Sequence, residues 1–273
     1  MHRWHLEETF NTSFGRIAGG RAGSGPPLLL AHGWPWSSYS WHRLIPALAE
    51  SFTCHWFDML GYGQSDMTCD RPTSLDVQTD LQTEMIEHFG IERPIVIAHD
   101  FGGAVSLRTH LLKEVEFELV VLINVVAINP WGSDFFDHVG RHIDAFTGLP
   151  PHIHEALVRA YISGALIEPL APEDFEALVE PWLSEAGRTS FYRQFAMADE
   201  ALTEVLVPLF AKMRCPVDIL WGTEDPWIPI ERGRKLHDAI PGSRFFTLEG
   251  LGHLPQLEDS DAVLGHLGAL QRT

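Results

Sequence analysis

Short apolar stretches bounded by glycine and proline alternate along the chain with segments whose apolar residues recur at helical spacing. This alternation is typical of βαβ units, in which helices connect parallel strands. Strands buried on both faces read as nearly continuous apolar runs. The pattern predicts strands at 26–32, 53–58, 94–99, 119–128, 217–221 and 244–248. It predicts helices at 38–50, 74–89, 102–114, 231–239 and 259–270.

Between residues 129 and 213 the pattern changes to helical segments broken by prolines, with no convincing strand. We therefore expect an α/β fold whose mostly parallel central sheet is flanked by helices and carries an inserted helical lid. The predicted core domain is formed by residues 1–128 and 214–273. The predicted cap domain is formed by residues 129–213.

The composition excludes some classes of partner. The 273 residues include 19 Lys and Arg against 37 Asp and Glu, which gives a formal net charge of -18. Such a charge repels nucleic-acid phosphates and the anionic surface of membranes, so we expect neither as a partner. A homodimer is left open.

No apolar run is long enough to cross a bilayer, and residues 1–27 lack the apolar segment of a signal peptide, so a cytoplasmic location is expected. The three cysteines, Cys54, Cys69 and Cys215, are widely spaced and form no C-x-x-C pair. Neither a disulfide framework nor a zinc site is indicated, and no metal or cofactor is expected.

Asp100 is the first candidate for chemistry. It stands between a predicted strand and a predicted helix, with small residues two positions away on either side, Ala98 and Gly102. This is the setting of a nucleophile elbow, where a sharp turn lifts the central side chain above the sheet. A carboxylate that attacks a saturated carbon forms an ester that water can cleave, whereas a serine would form a stable ether. The alternative is that Asp100 only caps the following helix.

Two backbone N–H groups are candidates for an oxyanion hole. Trp34 lies in the turn His32-Gly33-Trp34-Pro35 directly after a strand, and Phe101 follows the nucleophile. Their N–H groups would stabilise the tetrahedral intermediate formed on an Asp100 ester. The alternative is an ordinary turn in which Trp34 is packed in the core.

A base and an acid are expected in later loops. His253, flanked by glycines after the last predicted strand, is the candidate base. Asp225, in the loop after the strand 217–221, would orient the imidazole and stabilise its cation, and Glu224 is the alternative acid. His99, next to the nucleophile, is interpreted as a structural hydrogen-bonding residue.

These motifs together resemble the epoxide hydrolase and haloalkane dehalogenase branch of the α/β-hydrolase superfamily. The resemblance covers nearly the whole chain and rests on His32-Gly33-Trp34-Pro35, Gly61-Tyr62-Gly63-Gln64-Ser65, His99-Asp100-Phe101-Gly102-Gly103, Gly222 to Asp225 and Gly252-His253. It implies the α/β-hydrolase fold and an Asp nucleophile, with the chain order nucleophile, acid, base.

The resemblance leaves the substrate open between two bond types. Epoxide hydrolases of this branch have an aromatic residue in the turn that corresponds to His32-Gly33-Trp34-Pro35, where this chain has Trp34. They also use two lid tyrosines to bind the epoxide oxygen. Tyr192, in Phe191-Tyr192-Arg193, resembles one of them, and Tyr161 is the other tyrosine of the lid. Both could instead be packing residues. An epoxide, opened to a diol, is the leading expectation.

A dehalogenase, for haloalkanes or haloacids, is the second expectation. Such enzymes typically hold the departing halide with a tryptophan directly after the nucleophile, where this chain has Phe101. Indole donors from Trp34, Trp131 or Trp182 could replace it. The Arg-rich elbow that resembles fluoroacetate dehalogenases is absent, because Arg108 lies two turns into the helix.

Aromatic residues of the lid, with Trp131 and Trp182 among them, predict an apolar pocket for a small, neutral, largely apolar substrate. Three other functions stay open as alternatives on the same fold. An acyl hydrolase is disfavoured by the aspartate at the elbow, and a receptor without turnover by the intact His253 and Asp225. A cofactor-free oxygenase is compatible with the sequence.

Overall fold

The computed structural model describes residues 4–67 and 71–268. They form an eight-stranded sheet in the order β1-β2-β4-β3-β5-β6-β7-β8, in which β1 and β2 are antiparallel to their neighbours and the other strands are parallel. The strands are β1 (Glu8–Thr12), β2 (Gly15–Ala22), β3 (Pro27–Ala31), β4 (Thr53–Phe57), β5 (Ile95–His99), β6 (Leu119–Ile123), β7 (Val217–Gly222) and β8 (Arg244–Leu248). The predicted fold class, a mostly parallel sheet flanked by helices, is confirmed.

Successive residues of the central strands pack on opposite faces of the sheet. Leu29 belongs to one buried apolar cluster, while Leu28 and Leu30 belong to the other. Because side chains alternate along a strand, an unbroken apolar run buries both faces at once. The core helices are α1 (Ile45–Leu48), α2 (Leu75–Phe89), α3 (Phe101–Leu112), α10 (Ile230–Ala239), α11 (Pro255–Glu258) and α12 (Ser260–Leu267), with a 3-10 helix at Ser38–Trp41.

The chain between β6 and β7 is helical, as the pattern predicts for the range 129–213. It forms α4 (Asp134–Arg141), α5 (Ile143–Thr147), α6 (Pro151–Ser163), α7 (Pro172–Val179), α8 (Glu185–Met197) and α9 (Ala201–Glu204), with 3-10 helices at Glu180–Trp182 and Val207–Lys212. We call this segment the cap. The division of the chain into a core and a cap domain stays a prediction.

Two expectations from the pattern need correction, and one pair of strands was missed. The strand predicted at 119–128 ends at Ile123, because Asn124 has a φ of +45° and turns the chain. The helix predicted at 38–50 is a 3-10 turn followed by the single turn of α1. The hairpin of β1 and β2 was not predicted. Residues 269 and 270 of the predicted last helix, and Cys69, lie outside the described residues.

In the described ranges, no helix combines the length and apolarity that a bilayer crossing requires. Cys54 and Cys215 are free thiols.

Candidate active site

Asp100 occupies the turn between β5 and α3. Its φ is +49°, a value that costs a non-glycine residue backbone energy and that recurs at active sites. The turn brings α3 close to the backbone after β3, and only glycine fits at position 102, because a Cβ atom there would lie 2.3 Å from the carbonyl oxygen of Ala31. The Asp100 carbonyl accepts hydrogen bonds from the N–H groups of Gly103 and Val126. The side chain is thereby fixed above the carboxyl ends of the strands.

The first oxygen of the Asp100 carboxylate points into the turn after β3. The backbone N–H of Trp34 donates a hydrogen bond of 2.7 Å to Asp100 Oδ1. Gly33 is required there, because a Cβ atom at this position would lie 2.4 Å from the Asp100 side chain. Phe101 begins α3 and its ring packs edge-on against Trp131, with centroids 5.4 Å apart. The N–H of Phe101 stays a predicted second donor.

The second oxygen faces the imidazole of His253. Nε2 of His253 lies 3.5 Å from Asp100 Oδ2, and Nδ1 lies 2.8 Å from Asp225 Oδ2. Asp225 is itself fixed, since its Oδ1 accepts hydrogen bonds from the N–H groups of Trp227 and Ile228 at 2.8 and 2.9 Å. The structure therefore brings together the predicted nucleophile, acid and base from the ends of β5, β7 and β8.

The two carboxylates make His253 a stronger base. Burial lowers the pKa of His253, but the charges of Asp225 and Asp100 and their hydrogen bonds outweigh it, so its pKa is raised above the ordinary value. Burial raises the pKa of Asp225. The positive charge of His253, its hydrogen bond and the other donors around the carboxylate lower the pKa by more than burial raises it, so the net shift is downward. The resting site thus holds an imidazolium between two carboxylates.

Asn124 completes this arrangement and was missed as a functional residue. Its Nδ2 donates a hydrogen bond of 2.6 Å to Asp225 Oδ2, and its Oδ1 accepts one of 3.1 Å from the N–H of Gly222. Asn124 directly follows β6 and is buried. A single polar residue interrupting an apolar run at the carboxyl end of a strand was the signal that could have identified it.

The backbone of His253 is held from two sides. Nε2 of His99 donates a hydrogen bond of 2.7 Å to the carbonyl oxygen of His253. Burial and the positive charge of His253 lower the pKa of His99 to about 3, so this ring is neutral. The N–H of His253 donates to the carbonyl oxygen of Ala165 at 3.1 Å. Ala165 belongs to the cap and lies four residues after Tyr161, so one cap segment contacts the loop of the base.

A small apolar pocket of about 40 Å³ opens onto Asp100. A single water needs about 10 to 15 Å³ of such space, so the pocket accepts only a few heavy atoms. Tyr161 and Trp131, both predicted to bind substrate, line it. The indole N–H of Trp34 lies 3.4 Å from the Tyr161 hydroxyl oxygen, to which it donates. The other lining residues are Phe101, Val126, Gly132, Ser133, Phe136, Trp227 and Ile228.

The structure places the other two predicted substrate-binding side chains away from this pocket. The hydroxyl of Tyr192 lies 2.9 Å from Nδ1 of His154, whose Nε2 donates to the carbonyl oxygen of Trp182. The indole N–H of Trp182 donates to the carbonyl oxygen of Pro35 at 2.9 Å. Both side chains are fully buried within the cap and its contact with the core. Sequence spacing shows that a residue lies in the cap but not which way it points.

Known proteins are similar to this chain in sequence and in architecture. A family model described as "Alpha/beta hydrolase family" matches residues 28–265. An alpha/beta hydrolase fold protein from Burkholderia ambifaria has 42% sequence identity and a TM-score of 0.94, with 97% of this chain and 98% of that chain covered. A soluble epoxide hydrolase from Corynebacterium is 45% identical over 85 residues, which are 31% of this chain and 29% of that protein. Haloalkane dehalogenase 2 of Mycobacterium bovis is 33% identical over 115 residues, 42% and 40% of the two chains.

Proposed function

The chain belongs to the alpha/beta hydrolase family, and we propose that it hydrolyses a small, neutral epoxide to a diol with Asp100 as the nucleophile. One observation carries the proposal: the Asp100 carboxylate lies between the Trp34 N–H and the His253 imidazole, and opens onto a pocket that Tyr161 lines. The nucleophile, the base and a proton donor therefore meet at one small apolar site.

In the first step Oδ2 of Asp100 attacks an epoxide carbon. The carbon–oxygen bond breaks, and the epoxide oxygen takes the proton of the Tyr161 hydroxyl. Burial raises the pKa of Tyr161, so its hydroxyl is protonated at neutral pH. Because the Trp34 indole donates to the Tyr161 oxygen, the tyrosine proton is free for the substrate and the resulting phenolate is stabilised. The product is a hydroxyalkyl ester of Asp100.

Ester formation then changes the base. Asp100 loses its negative charge, so one of the two carboxylates that raise the pKa of His253 disappears. The imidazolium transfers its proton to the Tyr161 phenolate, which replaces the one given to the epoxide oxygen, and His253 becomes a neutral base. It removes a proton from water, whose oxygen attacks the ester carbonyl while the Trp34 N–H stabilises the oxyanion. The ester bond breaks, the departing diol oxygen takes the second proton of the attacking water, and Asp100 is released as a carboxylate. His253 keeps the first proton, which restores the resting state.

The hydrogen bonds of the pocket favour an epoxide over a carbon–halogen bond. A departing alkoxide needs a proton, which Tyr161 supplies, whereas a departing halide needs N–H donors and no proton. The indole N–H of Trp131 is used by Thr203 Oγ1 at 2.8 Å, and that of Trp182 by the Pro35 carbonyl. A haloalkane or haloacid is therefore the second candidate, supported by the partial similarity to a haloalkane dehalogenase.

Trapping the ester tests the function. We expect His253→Gln to form the ester but not to hydrolyse it, so intact-protein mass spectrometry with a three- or four-carbon epoxide should show a stable adduct. Its mass should equal that of the whole epoxide, because opening the ring loses no atoms. A haloalkane would instead add its mass minus that of the hydrogen halide. The double variant Asp100→Ala, His253→Gln is the matched control and should form no adduct.

Labelled water provides a second criterion. In a single turnover of the wild-type enzyme in labelled water, the oxygen transferred to the diol comes from Asp100, so the label enters the protein first. Immediate labelling of the diol, or the absence of an adduct in His253→Gln with both epoxides and haloalkanes, would contradict the proposed mechanism.

A further inference from the structure

A buried charge cluster joins the cap to the core away from the pocket. Asp174, in the first turn of α7, is 2% exposed. Its Oδ1 accepts a hydrogen bond of 2.5 Å from the Tyr39 hydroxyl and lies 3.3 Å from Nε2 of His42, and its Oδ2 pairs with the guanidinium of Arg43. A buried carboxylate is costly unless such partners compensate its lost hydration. The cap is therefore tied to the 3-10 helix after β3 through Asp174.

Arg43 has a second contact, on the side of the catalytic base. While one nitrogen pairs with Asp174, the other donates a hydrogen bond of 3.0 Å to the carbonyl oxygen of Leu257. Leu257 lies in α11, the short helix that starts two residues after His253. A cation beside the carboxyl end of a helix is favourably placed. Arg43 therefore joins the cap carboxylate to the helix that follows the base.

The side chain of Glu258, the last residue of α11, contacts the backbone on both sides of His253. Oε2 of Glu258 accepts a hydrogen bond of 2.7 Å from the N–H of Gly252, and Oε1 accepts one of 3.4 Å from the N–H of Leu254. These N–H groups flank His253. A continuous series of contacts therefore runs from Asp174 through Arg43, α11 and Glu258 to the backbone on both sides of the imidazole.

We propose that Arg43, held by Asp174, is a positioning residue that sets the place of His253 for hydrolysis of the ester. The inference rests on the proposed function. Nε2 of His253 lies 3.5 Å from Asp100 Oδ2. A small displacement of the imidazole therefore changes the distance between the base and the water that attacks the Asp100 ester. A misplacement of about 1 Å can cost up to about 100-fold in rate. Loss of the Arg43 bridge therefore slows the second step more than the first, because Asp100 is held by the elbow and by Trp34.

Two variants break the contact between Arg43 and Asp174. A third variant, in the same helix as Asp174, serves as the control. Arg43→Lys keeps the charge, but one ammonium lacks the fork that reaches both Asp174 and Leu257. Asp174→Asn removes the charge that holds Arg43. Glu176→Gln is the control, because Glu176 lies two residues from Asp174 but is exposed and pairs with Arg159 on α6. The rate of ester formation and the fraction of enzyme present as ester in the steady state are measured by quenched-flow mass spectrometry.

We expect ester hydrolysis to slow about 10- to 100-fold in Arg43→Lys and Asp174→Asn, with a much smaller change in ester formation. The ester should then accumulate in both variants, while Glu176→Gln behaves as the wild type. Equal slowing of both steps, or no slowing, in a folded variant would overturn the proposal. If Asp174→Asn is unfolded at the assay temperature, Arg43→Lys decides. The absence of any ester in the His253→Gln enzyme would contradict the proposed function itself, whereas the Arg43→Lys and Asp174→Asn variants test the role of Arg43.

Discussion

At the scale of single residues, Asn124 links two strand ends through one side chain. It donates to Asp225 and accepts from Gly222, so it holds the carboxylate that is hydrogen-bonded to the His253 imidazole. Such supporting hydrogen bonds fix the orientation of reacting groups, and at metal sites their loss costs about 10- to 100-fold in activity. When His253 is neutral, its hydrogen bond to Asp225 keeps the remaining proton on Nδ1 and leaves Nε2, which faces Asp100, unprotonated.

We expect Asn124→Ala to lower kcat about 10- to 100-fold and to lower the free energy of unfolding by about 1–3 kcal/mol, because the Gly222 N–H loses its buried acceptor. Steady-state kinetics and urea denaturation measure the two effects. Asn129→Ala is the control, since Asn129 bonds to Glu200 and Glu204 at the cap and lies outside the triad. An Asn124→Ala enzyme with unchanged kcat would show that Asp225 needs no such support.

At the scale of elements, the elbow depends on the close approach of α3 to the turn after β3. A Cβ atom on Gly102 would lie 2.3 Å from the carbonyl oxygen of Ala31, and both atoms belong to rigid backbone. Gly265 provides a contrast, because it lies in α12 and a Cβ atom there would meet nothing within 4 Å.

We expect Gly102→Ala to destabilise the protein by about 1–3 kcal/mol or more, as overpacking does, and to reduce ester formation by displacing Asp100. Gly265→Ala should leave activity unchanged and stabilise the protein by up to about 1 kcal/mol, because alanine loses less entropy in a helix. Urea denaturation and the adduct measurement test both. Equal stabilities for the two variants would rule out the close approach as the reason for Gly102.

The elements could be predicted from the sequence where one local property determines them. Short, mostly apolar stretches identified β3 to β8, and the strand–turn–helix setting identified Asp100 as the candidate nucleophile. The hairpin of β1 and β2 was missed because Gly19 and Gly20 give β2 little apolar signal. These glycines are needed because a Cβ atom at either would lie 2.8 Å from Trp56, in the neighbouring strand β4. The direction of the Tyr192 side chain could not be predicted either, since its hydrogen bond to His154 depends on how two cap helices pack.

At the scale of the whole molecule, buried histidines make stability depend on pH. Burial lowers the pKa of His55 to about 4 and that of His99 to about 3, and it also lowers the pKa values of His32, His110 and His154. Between these values and the ordinary 6.5, the unfolded chain binds protons that the folded chain does not. Stability contributed by these groups is therefore lost as the pH falls below about 6.5. His253 acts in the opposite sense, because its raised pKa contributes stability at low pH that is lost as the pH rises.

We expect the free energy of unfolding to fall between pH 7 and pH 5, with His99 alone contributing up to about 1.4 kcal/mol for each pH unit below 6.5. Urea denaturation at pH 7, 6 and 5 measures the slope. His99→Gln should have a shallower slope than the wild type, whereas His138→Gln, at an exposed position of α4, should keep it. An unchanged slope in His99→Gln would mean that His99 takes up its proton in the folded state.

The hydrogen bond between the His253 N–H and the Ala165 carbonyl has a consequence for engineering the pocket. Tyr161 and Ala165 lie on one short stretch of the cap. A cap transplanted from a relative therefore replaces the proposed proton donor and the backbone partner of His253 at the same time. A chimera that exchanges only residues before Tyr161 and after Ala165 keeps both contacts. The useful junctions for altering substrate range therefore lie within the cap rather than at its borders with the sheet.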